Sequence, residues 1–217
     1  IYKSIILRNL YGVDIMAEAV EIAKLRLFLK MVAVVDVDKR AENMGLDPLP
    51  DIDFNIRCGN TLVGYATEEQ LNNDLDFAAD FLQQLANQEL KDLLHAKLRD
   101  VADTYEIFRM EQLIRDADVS ILKEAKSSLN RELRSLNELL NKHLFAASGY
   151  SDFDEWLAIH QPFHWLAEFY QIMHNSKGFD VVIGNPPYVE FPSDDVQYSL
   201  NRLASSACGN LYGCCTE

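Results

Sequence analysis

The stretch Phe179-Asp-Val-Val-Ile-Gly-Asn-Pro-Pro-Tyr188 decides the fold class of this 217-residue chain. Its first six residues form a short, β-branched apolar run of the kind found in strands buried in parallel sheets. Asn185, two prolines and Tyr188 follow immediately. Open α/β sheets bind their ligands just beyond the carboxyl ends of the strands. The stretch therefore predicts a buried parallel strand that delivers rigid polar groups to a binding crevice.

Two more polar side chains stand at the ends of predicted strands. Residues 10–13 are typical of a short strand that ends on Asp14, and residues 54–58 alternate like a strand that stops before Asn60. In such a sheet a carboxylate can bind ribose hydroxyls, and an amide can bond an adenine edge. The alternative roles are helix capping for Asp14 and turn formation for Asn60. Three strand-end polar sites in this order indicate an α/β fold that binds a ligand.

A helix is predicted directly after the first of these strands. Apolar residues recur there at steps of three and four, at Met16, Val20, Ala23, Leu27, Met31 and Val34. The apolar surface is widened further by Ile22, Leu25, Phe28 and Leu29. We therefore expect a helix covered on most sides, inside a layered fold.

Residues 67–145 contain no proline and have a helical pattern. Leucines recur at Leu129, Leu133, Leu136, Leu140 and Leu144, after an earlier run of Leu90, Leu93, Leu94, Leu98, Val101, Tyr105 and Phe108. Such seams pack against partner helices, so the pattern predicts a long antiparallel hairpin. The chain then divides into residues 1–65 of the sheet, a helical insertion over 66–176, and the third strand with its following segment over 177–217. The hairpin is either a protein- or DNA-binding arm or a solvated insertion closed by its own leucines.

The formal net charge of −14 opposes a nucleic-acid partner, because phosphate contacts favour a basic surface. The charge is unevenly distributed. Residues 66–176 carry 20 Asp and Glu against 10 Lys and Arg, whereas the two flanking segments together carry 14 against 10. Most of the acidity belongs to the helical insertion, which weakens the objection for the predicted sheet.

The remaining composition predicts a cytoplasmic protein without metal or membrane segments. Cys58, Cys208, Cys214 and Cys215 form no C-x-x-C pair and are expected to be reduced thiols. His160 and His164 are four residues apart, but Pro162 between them disfavours a helical metal site. The longest apolar runs, residues 22–35 and 179–184, are interrupted by charges and are too short to span a bilayer.

Asn185-Pro-Pro-Tyr188 presents acceptors and an aromatic face. The prolines remove two backbone donors, so the Asn185 side-chain oxygen and the carbonyl of Pro186 remain. Two acceptors on the N–H bonds of an aromatic amine favour attack of its nitrogen on a sulfonium methyl group without a strong base. Tyr188 can stack on a base outside the duplex, which repays about 1–3 kcal/mol of unstacking. The alternative is a plain strand-to-loop turn.

These residues resemble the adenine-specific (N6) DNA methyltransferases, and more narrowly the methyltransferase regions of type IIG restriction-modification enzymes and of related phage-defence methylases. The matching stretches are Asn9-Leu-Tyr-Gly-Val-Asp-Ile15 with residues 19–27, Ile56-Arg-Cys-Gly-Asn-Thr-Leu62, Phe163-His-Trp-Leu-Ala-Glu-Phe169 and residues 179–189. The resemblance implies a partial, Rossmann-like sheet that uses S-adenosylmethionine and is interrupted by a helical hairpin. It also implies methylation of a flipped adenine in double-stranded DNA, often in a chain fused to an endonuclease.

The resemblance implies a role for each candidate site residue. Asp14 would hold the ribose of S-adenosylmethionine, and Ile15 would pack on its adenine. Asn60 would stand where many relatives have an aspartate that bonds the cofactor adenine. The catalytic clamp would consist of Asn185, Pro186, Pro187 and Tyr188.

One feature of the family has no counterpart here, namely the glycine-rich cofactor loop after its first strand. The chain also begins without methionine, and its segment Gly209-Asn-Leu-Tyr212 is one that continues in the family. We therefore expect an internal piece with a gap in its sheet, which binds S-adenosylmethionine weakly or not at all and does not methylate DNA alone. Exposed sheet edges would favour self-association of this piece.

Two other functions stay open. Methyltransferases of protein glutamine or of ribosomal RNA also carry Asn-Pro-Pro-Tyr, although they usually lack a hairpin of this length. Alternatively, the acidic helices form an interaction module, since such acidity suits a protein partner better than DNA. Binding of a partner protein by residues 66–176 alone would distinguish this last possibility.

Overall fold

The computed structural model describes residues 2–40, 42–46, 48–76, 81–114, 118–176, 178–188, 190 and 210–216. The chain forms two compact units. The first unit contains residues 1–59 and 103–131, and the second unit contains residues 60–102 and 132–217. Each unit is described by itself below.

Helices dominate the described residues. The helices are α1 (Tyr2–Asn9), α2 (Ala17–Val32), α3 (Glu68–Asp76), α4 (Phe81–Leu113), α5 (Val119–Ala146), α6 (Phe153–His160), α7 (Trp165–Glu168) and α8 (Leu211–Thr216). A short 3-10 helix covers Glu42–Gly45, and a π-helical turn covers Gln171–Asn175. The two strands are β1 (Gly12–Asp14) and β2 (Ile56–Cys58).

The two strands of the first unit confirm two of the predicted strands. They pair in parallel, with Gly12 beside Ile56, Val13 beside Arg57 and Asp14 beside Cys58. The pairing is extended by the amide of Gly59, which donates to the carbonyl oxygen of Asp14 at 3.0 Å. Parallel strands need a long crossover connection, and α2 lies in that connection. Asp14 therefore stands at the carboxyl end of β1, as predicted.

Helix α2 buries one face and exposes the other. Val20 and Met31 belong to a core cluster with Ile6, Leu7, Ile52 and Ile56. On the opposite face Ile22, Leu25, Leu29 and Val32 are each more than half exposed. The prediction that this helix is covered on most sides is therefore wrong, because the sheet that it packs on has two strands in the described part of the chain and covers a single stripe.

The predicted helical hairpin is present as α4 and α5. Lys97 donates to the Ser135 hydroxyl at 3.0 Å. Lys97 lies 16 residues before α4 ends at Leu113, and Ser135 lies 16 residues after α5 begins at Val119, so the helices run antiparallel. Leu94, Leu98, Leu136 and Leu140 are almost completely buried, as the leucine spacing predicts. The boundary between the two units passes through both helices, whereas the domain boundaries after residues 65 and 176 stay a prediction.

The predicted strand over Phe179–Gly184 is not formed. Val181, Val182 and Ile183 are 74%, 79% and 91% exposed, and none of them lies in a strand. A buried parallel strand requires ladder partners on its edges, and the strands of the described residues, β1 and β2, pair with each other. The run is apolar, but its burial depends on neighbouring strands that the described residues do not place beside it. Among the residues that the structure describes, no helix is long and apolar enough to cross a membrane.

Candidate active site

Asp14 and Ile15 form a small exposed corner at the carboxyl end of β1. Asp14 Oδ1 accepts a hydrogen bond from the amide of Met16 at 2.8 Å, which turns the chain into α2. This bond is a local turn and not the capping role considered above, since the N-cap residue of α2 is Met16, which receives no side-chain cap bond. The turn occupies one of the two carboxylate oxygens. The Asp14 side chain is exposed, and Ile15 is 46% exposed. The corner therefore offers an acceptor and an apolar surface to a ligand.

Cys58 is a neighbour of this corner that sequence reasoning did not assign to a site. It pairs with Asp14 in the strand register, and its thiol donates to the carbonyl oxygen of Ile15 at 3.5 Å. Burial, followed by the charges of Asp14 and Glu18, raises the pKa of the thiol above its ordinary value. The raised pKa keeps the Cys58 thiol protonated near neutral pH.

Asn60 begins a tight turn in the second unit. Its Oδ1 accepts from the amide of Leu62 at 3.1 Å, and its carbonyl oxygen accepts from the amide of Val63 at 3.1 Å. Because an amide N–H can only donate, the bond from Leu62 fixes which side-chain atom is the oxygen. The remaining atom, Nδ2, is buried and has no hydrogen-bond partner. Asn60 thus combines the predicted turn role with a free, buried donor.

The turn over residues 60–65 is joined to residues 161–166 by five hydrogen bonds, called here the turn ladder. Main-chain bonds run from Asn60 N to Gln161 O (2.8 Å), Phe163 N to Val63 O (2.8 Å) and Leu166 N to Tyr65 O (3.1 Å). Side chains supply the other two, from Tyr65 N to His164 Nδ1 (3.1 Å) and from Trp165 Nε1 to Thr61 O (3.2 Å). The turn ladder therefore fixes the turn from a segment about a hundred residues away in sequence.

The two histidines of this segment have structural partners. His164 Nε2 contacts Asn141 Oδ1 at 2.9 Å, and His160 Nδ1 contacts the carbonyl oxygen of Trp156 at 2.9 Å. Burial lowers the pKa of His164 to about 3, so its ring is neutral. Within the described residues no group of three His, Cys, Asp or Glu side chains could hold a metal ion.

Asn185-Pro-Pro-Tyr188 lies at the surface of the second unit. Asn185, Pro187 and Tyr188 are exposed, and Pro186 is half-buried. Tyr188 is 81% exposed, and its ring stacks on the ring of Tyr212 with a centroid distance of 6.1 Å and an interplanar angle of 8°. The motif is thus accessible to a ligand, and its tyrosine already makes an aromatic stack.

The structure groups the predicted site residues by unit. Asp14 and Ile15 belong to the first unit, together with Cys58. Asn60 and the residues from Asn185 to Tyr188 belong to the second unit, where Asn60 is held by the turn ladder and Tyr188 contacts Tyr212. The turn ladder and Tyr212 were not predicted as contacts, because each joins segments that are distant or separately patterned in the sequence.

Residues 8–214 match the family described as Eco57I restriction-modification methylase. The chain therefore belongs to this family of restriction-modification methylases.

A curated relative extends this finding. A protein of Methanocaldococcus jannaschii that carries the name of a type II restriction enzyme and methyltransferase is 33% identical to this chain over 228 residues. The similarity covers 87% of this chain and 19% of the relative, so the chain spans about a fifth of the length of the protein that it matches. No solved structure matches the chain.

Proposed function

We propose that this chain carries part of the active site of a DNA methyltransferase that transfers a methyl group from S-adenosylmethionine to N6 of adenine. The observation that carries the proposal is the exposed Asn185-Pro-Pro-Tyr188 motif in a chain of the restriction-modification methylase family. Exposed acceptors beside an exposed aromatic ring suit a planar amine that must be held and stacked. The proposed substrate is double-stranded DNA with the target adenine flipped out of the helix.

The residues present fit S-adenosylmethionine in two places. Asp14 keeps one carboxylate oxygen outside its bond to Met16, and this oxygen would accept from a ribose hydroxyl. Ile15 supplies an apolar surface for the adenine of the cofactor. Asn60 Nδ2, a buried donor without a partner, would donate to a ring nitrogen of that adenine.

The direction of the Asn60 bond follows from its turn. Asn60 Oδ1 is occupied by the amide of Leu62, so the side chain offers a donor rather than an acceptor. An aspartate at this position would offer acceptors only. We therefore place a ring nitrogen of adenine, rather than its amino group, beside Asn60.

The transfer needs little acid-base chemistry from the protein. When bound, the cofactor would supply an electrophilic methyl group on a sulfonium centre, and the sulfur would keep the electron pair of the broken S–CH3 bond and leave as the thioether S-adenosylhomocysteine. The Asn185 side-chain oxygen and the carbonyl oxygen of Pro186 accept hydrogen bonds from the two N–H groups of the target amine and orient its lone pair for attack. Tyr188 stacks on the flipped base and repays about 1–3 kcal/mol of its unstacking. The amine becomes acidic once it is methylated, so its proton can leave to water.

The remaining assignments complete the proposal. We assign residues 1–65 and 177–217 to the methyltransferase domain and residues 66–176 to an insertion in it. We also propose that the full-length protein restricts DNA, in keeping with the name of its relative from Methanocaldococcus jannaschii. Methylation and restriction are separable, since a methyltransferase retains its chemistry without a nuclease.

Labelled S-adenosylmethionine tests the proposal directly. The full-length protein is incubated with mixed-sequence DNA, and the label is followed in wild type, Asn185→Ala and Tyr188→Ala. We expect label in N6-methyladenine, with most of it lost in both variants. If label enters a protein or an RNA while DNA stays unlabelled, the proposal of a DNA substrate is contradicted. That result would favour the alternative of a methyltransferase that acts on protein glutamine or on RNA.

A further inference from the structure

One hydrogen bond of the turn ladder is made by the side chain of His164, whose ring can form hydrogen bonds at both of its nitrogens. His164 is 1% exposed, and its two ring nitrogens bond to different parts of the second unit. Nδ1 contacts the amide nitrogen of Tyr65, and Nε2 contacts the side-chain oxygen of Asn141 on α5. His164 therefore ties the turn that begins at Asn60 to the helical hairpin.

The hydrogen bonds fix the tautomer of His164. The amide of Tyr65 can only donate, so Nδ1 must be an unprotonated acceptor. The proton then resides on Nε2, which donates to Asn141 Oδ1. This arrangement uses both nitrogens of a neutral ring, and the ring also stacks on the side chain of Tyr65 at 5.6 Å and 19°. The imidazole is thus held in one orientation.

We propose that His164 is a positioning residue for the cofactor, which holds Asn60 in place through the amide of Tyr65. The proposal rests on the proposed function, in which Asn60 Nδ2 donates to the cofactor adenine. Asn60 opens the turn and Tyr65 closes it. A lost bond at Tyr65 releases the closing end of the turn and moves the donor at its opening end.

Two substitutions separate the bonds of His164. His164→Asn places an oxygen near the position of Nδ1, so it keeps the acceptor for Tyr65 and loses the donor to Asn141. His164→Gln places an amide nitrogen near the position of Nε2, so it keeps the donor to Asn141 and loses the acceptor for Tyr65. A role that is only structural would make both variants alike, whereas the positioning role distinguishes them.

The experiment measures the KM for S-adenosylmethionine and kcat in DNA methylation by the full-length protein near neutral pH. The dissociation constant of S-adenosylhomocysteine is measured by calorimetry on the same samples. We expect His164→Gln to raise both constants about tenfold, which corresponds to one lost hydrogen bond. We expect His164→Asn to stay within about twofold of wild type. The kcat at saturating cofactor is expected to be unchanged in both, because the lost contact binds ground state and transition state equally.

His160 offers a matched control on the same segment. It is 3% exposed, but its ring bonds to Trp156 within α6 and not to the turn. His160→Gln is therefore expected to keep the wild-type KM even if it lowers the unfolding temperature. The proposal is overturned if folded His164→Gln keeps the wild-type KM, or if His164→Gln, His164→Asn and His160→Gln all change KM equally.

A second variant covers the case in which His164 substitutions prevent folding. Trp165→Phe removes the indole N–H that bonds to Thr61 O and retains a ring for the contacts with Phe163, Phe169 and Phe179. We expect a rise in KM of about threefold without a change in kcat. An unchanged KM in Trp165→Phe overturns the positioning role of the turn ladder. Absence of DNA methylation and cofactor binding in wild type would instead contradict the proposed function itself.

Discussion

A methyl group on the Cα of Gly64 would lie 2.4 Å from the carbonyl oxygen of Phe163. Gly64 also has a φ of +126°, a backbone conformation that residues other than glycine rarely adopt. Each observation favours glycine on its own, at a position where the turn ladder brings two main chains into direct contact. Only glycine allows the turn and residues 161–166 to approach so closely.

Gly64→Ala is therefore expected to destabilise the protein by about 3 kcal/mol, which combines backbone strain with a clash against main-chain atoms. Gly178→Ala is the matched control, since its φ of +120° is similar and its added methyl group would meet nothing within 4 Å. We expect the control to cost about 1 kcal/mol. Urea unfolding measures both, and equal losses would mean that Phe163 moves away at no cost.

Asp14→Asn tests the proposed ribose contact without disturbing the start of α2. Asparagine retains the side-chain oxygen that accepts from Met16, but the other carboxylate oxygen becomes a donor. We expect wild-type stability and a KM for S-adenosylmethionine about tenfold higher. Glu18→Gln, which changes another exposed acid in the first turn of α2, serves as the control. A similar KM for both variants and wild type would remove Asp14 from the cofactor site.

Tyr188 variants distinguish a base-stacking role from a plain turn. Tyr188→Ala is expected to lower kcat/KM for DNA about 5- to 100-fold, because it removes the aromatic face for the flipped base. Tyr188→Phe keeps that face and is expected to stay within about threefold of wild type. If Tyr188 serves only to pack on Tyr212, then Tyr212→Ala will reduce methylation as strongly as Tyr188→Ala.

An ion-pair network in the first unit makes stability depend on pH. Lys126 bonds to Asp51 and Asp53, and Lys24 bonds to Asp53 at 2.8 Å. Burial alone would raise the pKa of Asp53, but the two lysines outweigh it and hold the pKa below its ordinary value. This contribution is therefore present above the unfolded pKa of about 4 and is lost as pH falls through the folded pKa.

Lys126→Met is accordingly expected to cost about 1 kcal/mol at neutral pH, with solvent screening limiting the loss because Asp53 is 45% exposed. The loss should shrink below about pH 4. Lys142→Met, which breaks an exposed pair with Glu138 on α5, should not change stability measurably. The two test values, about pH 3 and about pH 7, lie on either side of the unfolded pKa of about 4. An equal loss of stability from Lys126→Met at both would contradict the role of Asp53.

His164 adds a second pH dependence of stability, which arises from burial of a neutral ring rather than from an ion pair. Burial lowers the pKa of His164 to about 3, below its ordinary value of about 6.5. The unfolded chain therefore binds the proton first, and folding stability falls as pH drops below about 6.5. We expect His164→Asn to reduce this decline by roughly 2–3 kcal/mol between about pH 6.5 and pH 4, measured by urea unfolding at several pH values. Parallel declines in the variant and wild type would show that His164 is protonated in the folded protein.

Features that depend on local periodicity were predictable from the sequence. The strands that end at Asp14 and Cys58, helix α2 and the α4–α5 hairpin all follow from apolar spacing over short windows. The run from Phe179 to Gly184 has an equally clear pattern, yet it forms no strand here. Its apolar composition favours burial between neighbouring strands, but composition does not specify whether those strands are present.

The contacts that hold the candidate site were not predictable in the same way. Asn60 was singled out for its place after a strand, but its partner Gln161 lies 101 residues further along the chain. The sequence placed His164 in a disfavoured metal pair and in an aromatic stretch of the family resemblance, and its position between aromatic residues was a signal for a buried, hydrogen-bonded ring. Periodicity reports which face of an element is buried, and it does not report which distant segment covers that face.

The turn ladder also has a consequence for the order of folding. Closing a loop of about 100 residues costs about 2 kcal/mol more entropy than closing a loop of 10, because the cost grows with the logarithm of length. The α4–α5 hairpin closes through contacts of smaller sequence separation, such as the 38 residues between Lys97 and Ser135, and brings the ends of the insertion back together. Once the hairpin exists, Asn60 and Gln161 are separated by a short effective loop. Pairing of α4 with α5 therefore reduces the entropy cost of closing the turn ladder. We expect helix pairing to precede closure of the turn ladder on the folding pathway.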